Sequence, residues 1–236
     1  MKQHTHKQIV PFCSLLVAIS FFALPARAGQ SNKPTTQPAQ SLFDGKTLGK
    51  WVPVKFGGEG EVHVEDGSIV IEAGAVMSGA NYTGTTPKIN YEVEMDARRV
   101  DGTDFFFGLT FPIGDDFATL VLGGWGGAVC GISCLDDNDA ARNDTRSLVT
   151  FKKGQWYHIR LRVYANRIQA WVDKDMIVDV ETSKKKISLR DEVEPSKPFG
   201  LATYQTTGAY KEIRLRPLSA QEIAAEKART AAQPTQ

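Results

Sequence analysis

Tyr91-Glu92-Val93-Glu94-Met95-Asp96-Ala97-Arg98 alternates apolar and charged side chains without a break. Successive side chains of an extended strand point to opposite faces. The octet therefore buries Tyr91, Val93, Met95 and Ala97 and leaves Glu92, Glu94, Asp96 and Arg98 on a wet face. The same period of two runs outward in both directions. Upstream, Val62-His63-Val64-Glu65-Asp66-Gly67-Ser68-Ile69-Val70-Ile71 reads as a hairpin turning at Asp66-Gly67, where glycine accepts positive φ. Downstream, residues 104–111, 117–122, 147–151 and 155–164 continue the series. Ala165-Asn166 turns into 167–173, Lys174-Asp175 turns into 176–180, and 199–205 and 210–216 close it. No amphipathic helical stretch separates these segments, which disfavours parallel βαβ winding and points to an all-β antiparallel sandwich.

Residues 1–28 read as a secretory signal peptide. Lys2 and Lys7 precede an apolar run from Ile9 to Leu24, and Ala26-Arg27-Ala28 offers the small-x-small pattern that predicts cleavage before Gly29. The run carries Pro11 and falls short of the roughly 20 residues a spanning helix needs. With no transmembrane segment expected after cleavage, the reading is a secreted or periplasmic protein. Residues 29–41 hold no apolar side chain larger than alanine and proline and read as a flexible linker. Residues 42–218 form one β domain, large enough for a real core. Residues 219–236 are a helical or disordered tail: Ser219 and Glu222 make a capping box, Leu218 can staple onto Ile223, and Ala220–Ala231 should be a short helix.

Charge narrows the partners. Of 28 basic residues, the signal peptide takes Lys2, Lys7 and Arg27; the 25 left face 27 acidic ones, a net of −2. Nucleic acid, which demands clustered basic charge, is not an expected partner. Cys130 and Cys134 remain after cleavage. Residues four apart on a strand lie roughly 13 Å apart, beyond disulfide reach, so a bridge requires a turn near Gly131. A disulfide and two buried thiols both stay open. His63 and His158, alone in their strands, suit structural roles better than a metal centre.

Three stretches could carry chemistry. Glu92, Glu94 and Asp96 share one strand face and resemble the Glu-x-Asp-x-Glu strand of laminarinase-like glycosidases, though alternation alone also predicts them. In Gly102–Pro112, Asp104, Phe106, Gly108 and Thr110 should share one face and Phe105, Phe107, Leu109 and Phe111 should enter the core. Asp104 could then act as a catalytic acid or hydroxyl acceptor while Phe106 stacks on a sugar ring; ordinary core or rim packing is the alternative for Phe106, as it is for Trp125. Trp125, inside Gly123-Gly124-Trp125-Gly126-Gly127, is a second sugar-stacking candidate. In Leu135–Thr145, Asp137 and Asp139 are candidate catalytic groups, and Arg142 and Asn143 candidate substrate contacts. Asp136, Asp139 and Asp144 could donate oxygens to Ca²⁺, although the spacing is not an EF-hand and no cofactor is required.

Leu42-Phe43-Asp44-Gly45-Lys46-Thr47-Leu48 followed by Trp51 resembles the opening of the bacterial 3-keto-disaccharide hydrolase domain family, also described as 3-keto-glucoside lyase/hydratase-like. Asp66–Ile71, Trp156–Leu161, Ile168–Asp173 and Glu212–Leu218 resemble its later framework strands. The resemblance implies a concanavalin A-like sandwich, or jelly roll, and an exported protein that handles a carbohydrate or glycoside ligand. The middle departs from the family: Phe106-Phe107-Gly108-Leu109 and Ala118-Thr119-Leu120-Val121 stand where polar cleft strands are found, so the family's cleft residues are not carried over. Two functions stay open: a keto-glycoside lyase or hydrolase, and a non-catalytic lectin-like module.

Overall fold

The structure, a computed structural model, describes Met1 and residues 38–232; the signal peptide and most of the linker lie outside the described residues. The strands, in chain order, are β1 (Gln40–Ser41), β2 (Trp51–Pro53), β3 (Val62–Glu65), β4 (Ser68–Ile71), β5 (Met77–Tyr82), β6 (Tyr91–Asp101), β7 (Phe107–Ile113), β8 (Asp116–Gly124) and β9 (Val129–Ser133). They continue with β10 (Ser147–Leu148), β11 (Tyr157–Val163), β12 (Arg167–Val172), β13 (Asp175–Glu181), β14 (Gly200–Tyr204) and β15 (Thr207–Pro217). A 3₁₀ turn covers Asp191–Ser196, and α1 covers Ala220–Ala231. The first sheet runs β13-β12-β11-β6-β15-β4-β3 with β1 added to β15; the second runs β10-β9-β8-β7-β14-β5-β2. Every pairing is antiparallel.

The inner faces meet in one apolar layer. Val93, Met95 and Leu161 of the first sheet pack with Leu109, Phe111, Leu120 and Leu201 of the second. The hairpin forms where Asp66-Gly67 placed it: Glu65 faces Ser68, and both turn residues have positive φ, +47° and +72°. The later hairpin turns one residue earlier than expected, at Asp173-Lys174, because Val172 pairs with Asp175 and a bulge interrupts Ala170/Trp171. The opening motif is framework. The Asp44 carboxylate accepts the N–H groups of Lys46 and Thr47, both at 2.8 Å, while the buried Trp51 indole donates to the Leu42 carbonyl at 3.0 Å.

The capping box of α1 closes as the sequence implies, Ser219 Oγ accepting from the Glu222 N–H. The helix lies on the outer face of the first sheet. Arg216 holds Glu222 at 2.8 Å and also pairs with Glu92, which Arg162 contacts as well. Arg167 and Arg229 clasp Glu226 and Asp179. The Glu92 strand face is thus balanced by Arg162 and Arg216, with Glu92 itself only 2% exposed. Neither end of this glycosidase-like carboxylate set is free: Glu92 is closed off by arginines, and Asp96 bonds His158.

Cys130 and Cys134 are free and buried. Cys130 lies within the extended β9, with Cys134 directly after it, which keeps the pair apart.

Candidate functional site

The outer face of the second sheet is partly covered by the segment that joins β13 to β14. Cys134 and Ser188 exchange backbone hydrogen bonds at 2.8 and 3.2 Å, and Asp136 N–H donates to the Lys186 carbonyl at 2.8 Å. Ion pairs reinforce this strap. Lys185 contacts Asp136 at 3.3 Å and Asp144 at 3.0 Å, Lys186 contacts Asp137 at 2.8 Å, and Arg190 contacts Asp139 at 3.1 Å. Beyond them Val193 and Leu189 settle onto a small apolar cluster with Met77, Ala202 and Phe56.

Between strap and sheet lies a cavity of about 300 Å³. Its apolar wall is Phe105, Tyr204, Val121, Met77 and Val193; its polar edge is Asp104, Arg190 and Glu192; Trp125 stands at the border, 43% exposed. Phe105 and Tyr204 face each other at 5.9 Å between centroids, 33° apart. A second, more polar cavity of about 450 Å³ adjoins the first and shares Arg190 and Glu192 with it; Asp137, Asp139 and Arg142 line its far side.

Arg190 is the electrostatic hinge of the two spaces. It reaches Glu192 at 2.9 and 3.3 Å as well as Asp139. The bond from Arg190 holds the Glu192 carboxyl below its ordinary value, and Glu192 in turn raises the guanidinium. Glu192 is therefore ionised at neutral pH.

The residues singled out in the sequence separate into two groups. Asp104 and Trp125 border the first cavity, and Asp137, Asp139 and Arg142 the second. The Asp104 carboxylate is committed to backbone donors, accepting from Phe105 N–H at 2.7 Å and Gly126 N–H at 3.0 Å, so it fastens the Trp125 turn. Phe106 is not at the site. It is fully buried in the core, edge-on to Phe151 at 4.9 Å. The reason is phase: β7 begins only at Phe107, and the irregular 104–106 segment sends Phe105 outward and Phe106 inward. Asn143 is a loop brace. Its amide donates to the Ile132 and Asn138 carbonyls, and its oxygen accepts from Thr145. The calcium set does not fit either. Asp136, Asp139 and Asp144 are turned onto the lysines and the arginine of the strap, and among the described residues no three His, Cys, Asp or Glu side chains converge on a metal position.

Arg190, Glu192, Phe105 and Tyr204 were not anticipated. Strand alternation does not hold through Asp104–Phe106 and so misplaces Phe105, and Arg190-Asp191-Glu192 carries no motif that sets it apart.

The model of the 3-keto-alpha-glucoside-1,2-lyase-like domain matches residues 38–216. The chain belongs to that family. Among curated proteins no relative matches. A Bacillus subtilis protein with a galectin-like fold superposes with a TM-score of 0.51 at 9% identity, over 72% of this chain and 90% of that one. Weaker likenesses join this family member to domain 4 of AbnA, a GH43 extracellular arabinanase from Geobacillus stearothermophilus in complex with arabinotriose (TM-score 0.48, 14% identity, 74% of this chain and 86% of that one). Another is the carbohydrate-binding module CBM66 from Bacillus subtilis (0.44, 12%, 71% and 95%). At 9% identity the galectin-like neighbour establishes the sandwich fold and nothing of the ligand. No helix among the described residues is long and apolar enough to cross a membrane.

Proposed function

We propose that this protein is exported and acts on a glycoside oxidised at C3, taking the oxidised ring in the smaller cavity and the leaving unit in the adjoining polar one. The observation that carries the reading is the shared Arg190–Glu192 pair between an aromatic cavity and a hydroxyl-compatible one. Aromatic walls suit the apolar face of a pyranose, and a few placed polar groups fix its orientation. A C3 ketone acidifies the C2 proton. Glu192, ionised and lining both cavities, would serve as base, and its partner Arg190 would stabilise the enolate oxygen. Collapse of the enolate restores the ketone, forms the C1–C2 double bond and breaks the C1–oxygen bond, and the departing oxygen takes a proton from water or takes back the one Glu192 removed.

A non-catalytic reading has its own support: Asp104 is used by backbone donors and Glu192 by Arg190, which leaves binding without turnover. One experiment separates the two. The purified protein is incubated with 3-keto-trehalose and with trehalose, and products are analysed beside calorimetric binding. The reaction reading expects loss of the keto-glycoside only, abolished in Glu192→Gln. Binding of either sugar with no product would establish the lectin-like function, and no binding of either would refute both. A mature N-terminus at Gly29 by mass spectrometry tests export.

A further inference from the structure

The inner face of β6 is apolar from Tyr91 to Ala97, and the next residue in phase is Arg99, only 6% exposed. A cation in this layer is costly unless it is paired. Among the described residues no carboxylate lies within ion-pair distance of it, and burial pulls its pKa down. Its partners are carbonyls. Nη2 donates to Asp104, Gly123 and Gly127, each at 3.1 Å, and Nη1 points to Phe151 at 3.5 Å. Its guanidinium lies 5.2 Å from the Phe106 ring centroid.

These carbonyls bracket Trp125. Gly123 and Gly127 are the two legs of its loop, and Asp104 supplies the carboxylate that takes the Gly126 N–H. Gly127 N–H closes the turn onto the Gly124 carbonyl at 3.1 Å, with φ of +48° at Trp125 and +87° at Gly126. Trp125 therefore sits in a backbone region that a large L side chain rarely adopts, and something outside the turn must hold it there. The flanking glycines are not slack. A Cβ on Gly123 would overlap Arg99 Nη2, and one on Gly127 would come within 2.8 Å of the Thr103 carbonyl.

We propose that Arg99 is a positioning residue that fixes the pose of Trp125 at the cavity mouth, so that the ligand meets a preformed aromatic wall and need not order a loop. The role of that wall rests on the sugar-binding reading above; the positioning does not. The full chain is labelled with 5-fluorotryptophan and followed by ¹⁹F NMR. Its four tryptophans give four resonances, and Trp125→Phe identifies one. In Arg99→Met the Trp125 resonance should move toward free fluorotryptophan and sharpen, while those of Trp51, Trp156 and Trp171 stay in place. Arg99→Lys, which keeps the charge but loses the planar fork, should show a partial shift. Affinity for 3-keto-trehalose should fall at least tenfold in Arg99→Met. A Trp125 resonance unchanged in position and width overturns the proposal. Should Arg99→Met unfold, with all four resonances collapsing, Arg99→Lys decides by the same criterion. A shifted Trp125 resonance in a protein whose wild type binds no sugar would leave Arg99 as positioner and refute the ligand.

Discussion

Replacing Phe106 by alanine should unfold the protein early while leaving the cavity lining untouched, and replacing its neighbour Phe105 should do the reverse. Phe106 is fully buried, and its ring meets Phe151 edge-on at 67° and lies under the Arg99 guanidinium. Emptying such a site costs about 3–5 kcal/mol, the aromatic pair included. For a domain of this size each kcal/mol moves Tm by roughly 2–4 °C, so the Phe106→Ala melt should fall by about 6–20 °C. Phe105 is half-buried on the outer face, against Tyr204. Its loss removes one cavity wall and should cost about 1 kcal/mol, or roughly 2–4 °C. Melting by circular dichroism and calorimetric titration with 3-keto-trehalose, on both variants, give the comparison. A Phe106→Ala protein that melts within about 2 °C of wild type but no longer binds would refute the inward placement of this ring and the phase break that causes it.

Arg216 links Glu92 to Glu222, and Arg216→Ala strips a buried carboxylate of one of its two cations. A loss of about 3–5 kcal/mol is expected, read as a lower urea midpoint; an unchanged midpoint would show the helix dock to be idle. Acid should undo the same dock. The bond from Arg216 lowers Glu222 from 4.5 to about 2. A depressed carboxyl contributes stability that is complete above its unfolded value and drains away as pH falls from about 4.5 to 2. Helix signal followed across that window should decline in wild type, and Glu222→Gln should flatten the dependence. Burial pushes the Cys130 thiol up to about 11. Ellman's reagent should therefore find no rapidly reacting Cys130 in the native protein at pH 8, and both Cys130 and Cys134 after denaturation without reductant. A melt that drops with dithiothreitol would contradict the free thiols.

The sandwich was legible because its signal is local. Alternation over Tyr91–Arg98 and the Asp66-Gly67 turn depend on a few adjacent residues, and the capping box at Ser219 on four. The site was legible only in pieces. Trp125 announced itself by standing among glycines, and the aspartates by their density. What they do depends on partners distant in the chain: Lys185, Lys186 and Arg190 claim the aspartates across some fifty residues, converting a supposed metal loop into an anchor. The sugar-stacking reading of Phe106 failed for the opposite reason, while its core-packing alternative holds. A local rule was extended through Asp104–Phe106, where the backbone is not a strand and the rule does not hold.

The N-terminal strand β1 joins β15, and the C-terminal helix lies across the back of that same sheet, whereas both cavities open on the other layer. Either end of the folded domain can consequently be coupled to a bead, a sensor chip or a fusion partner without shading the cavity mouths. Immobilisation through residue 38 or residue 232 should leave both cavities equally open, a practical advantage when candidate ligands are screened.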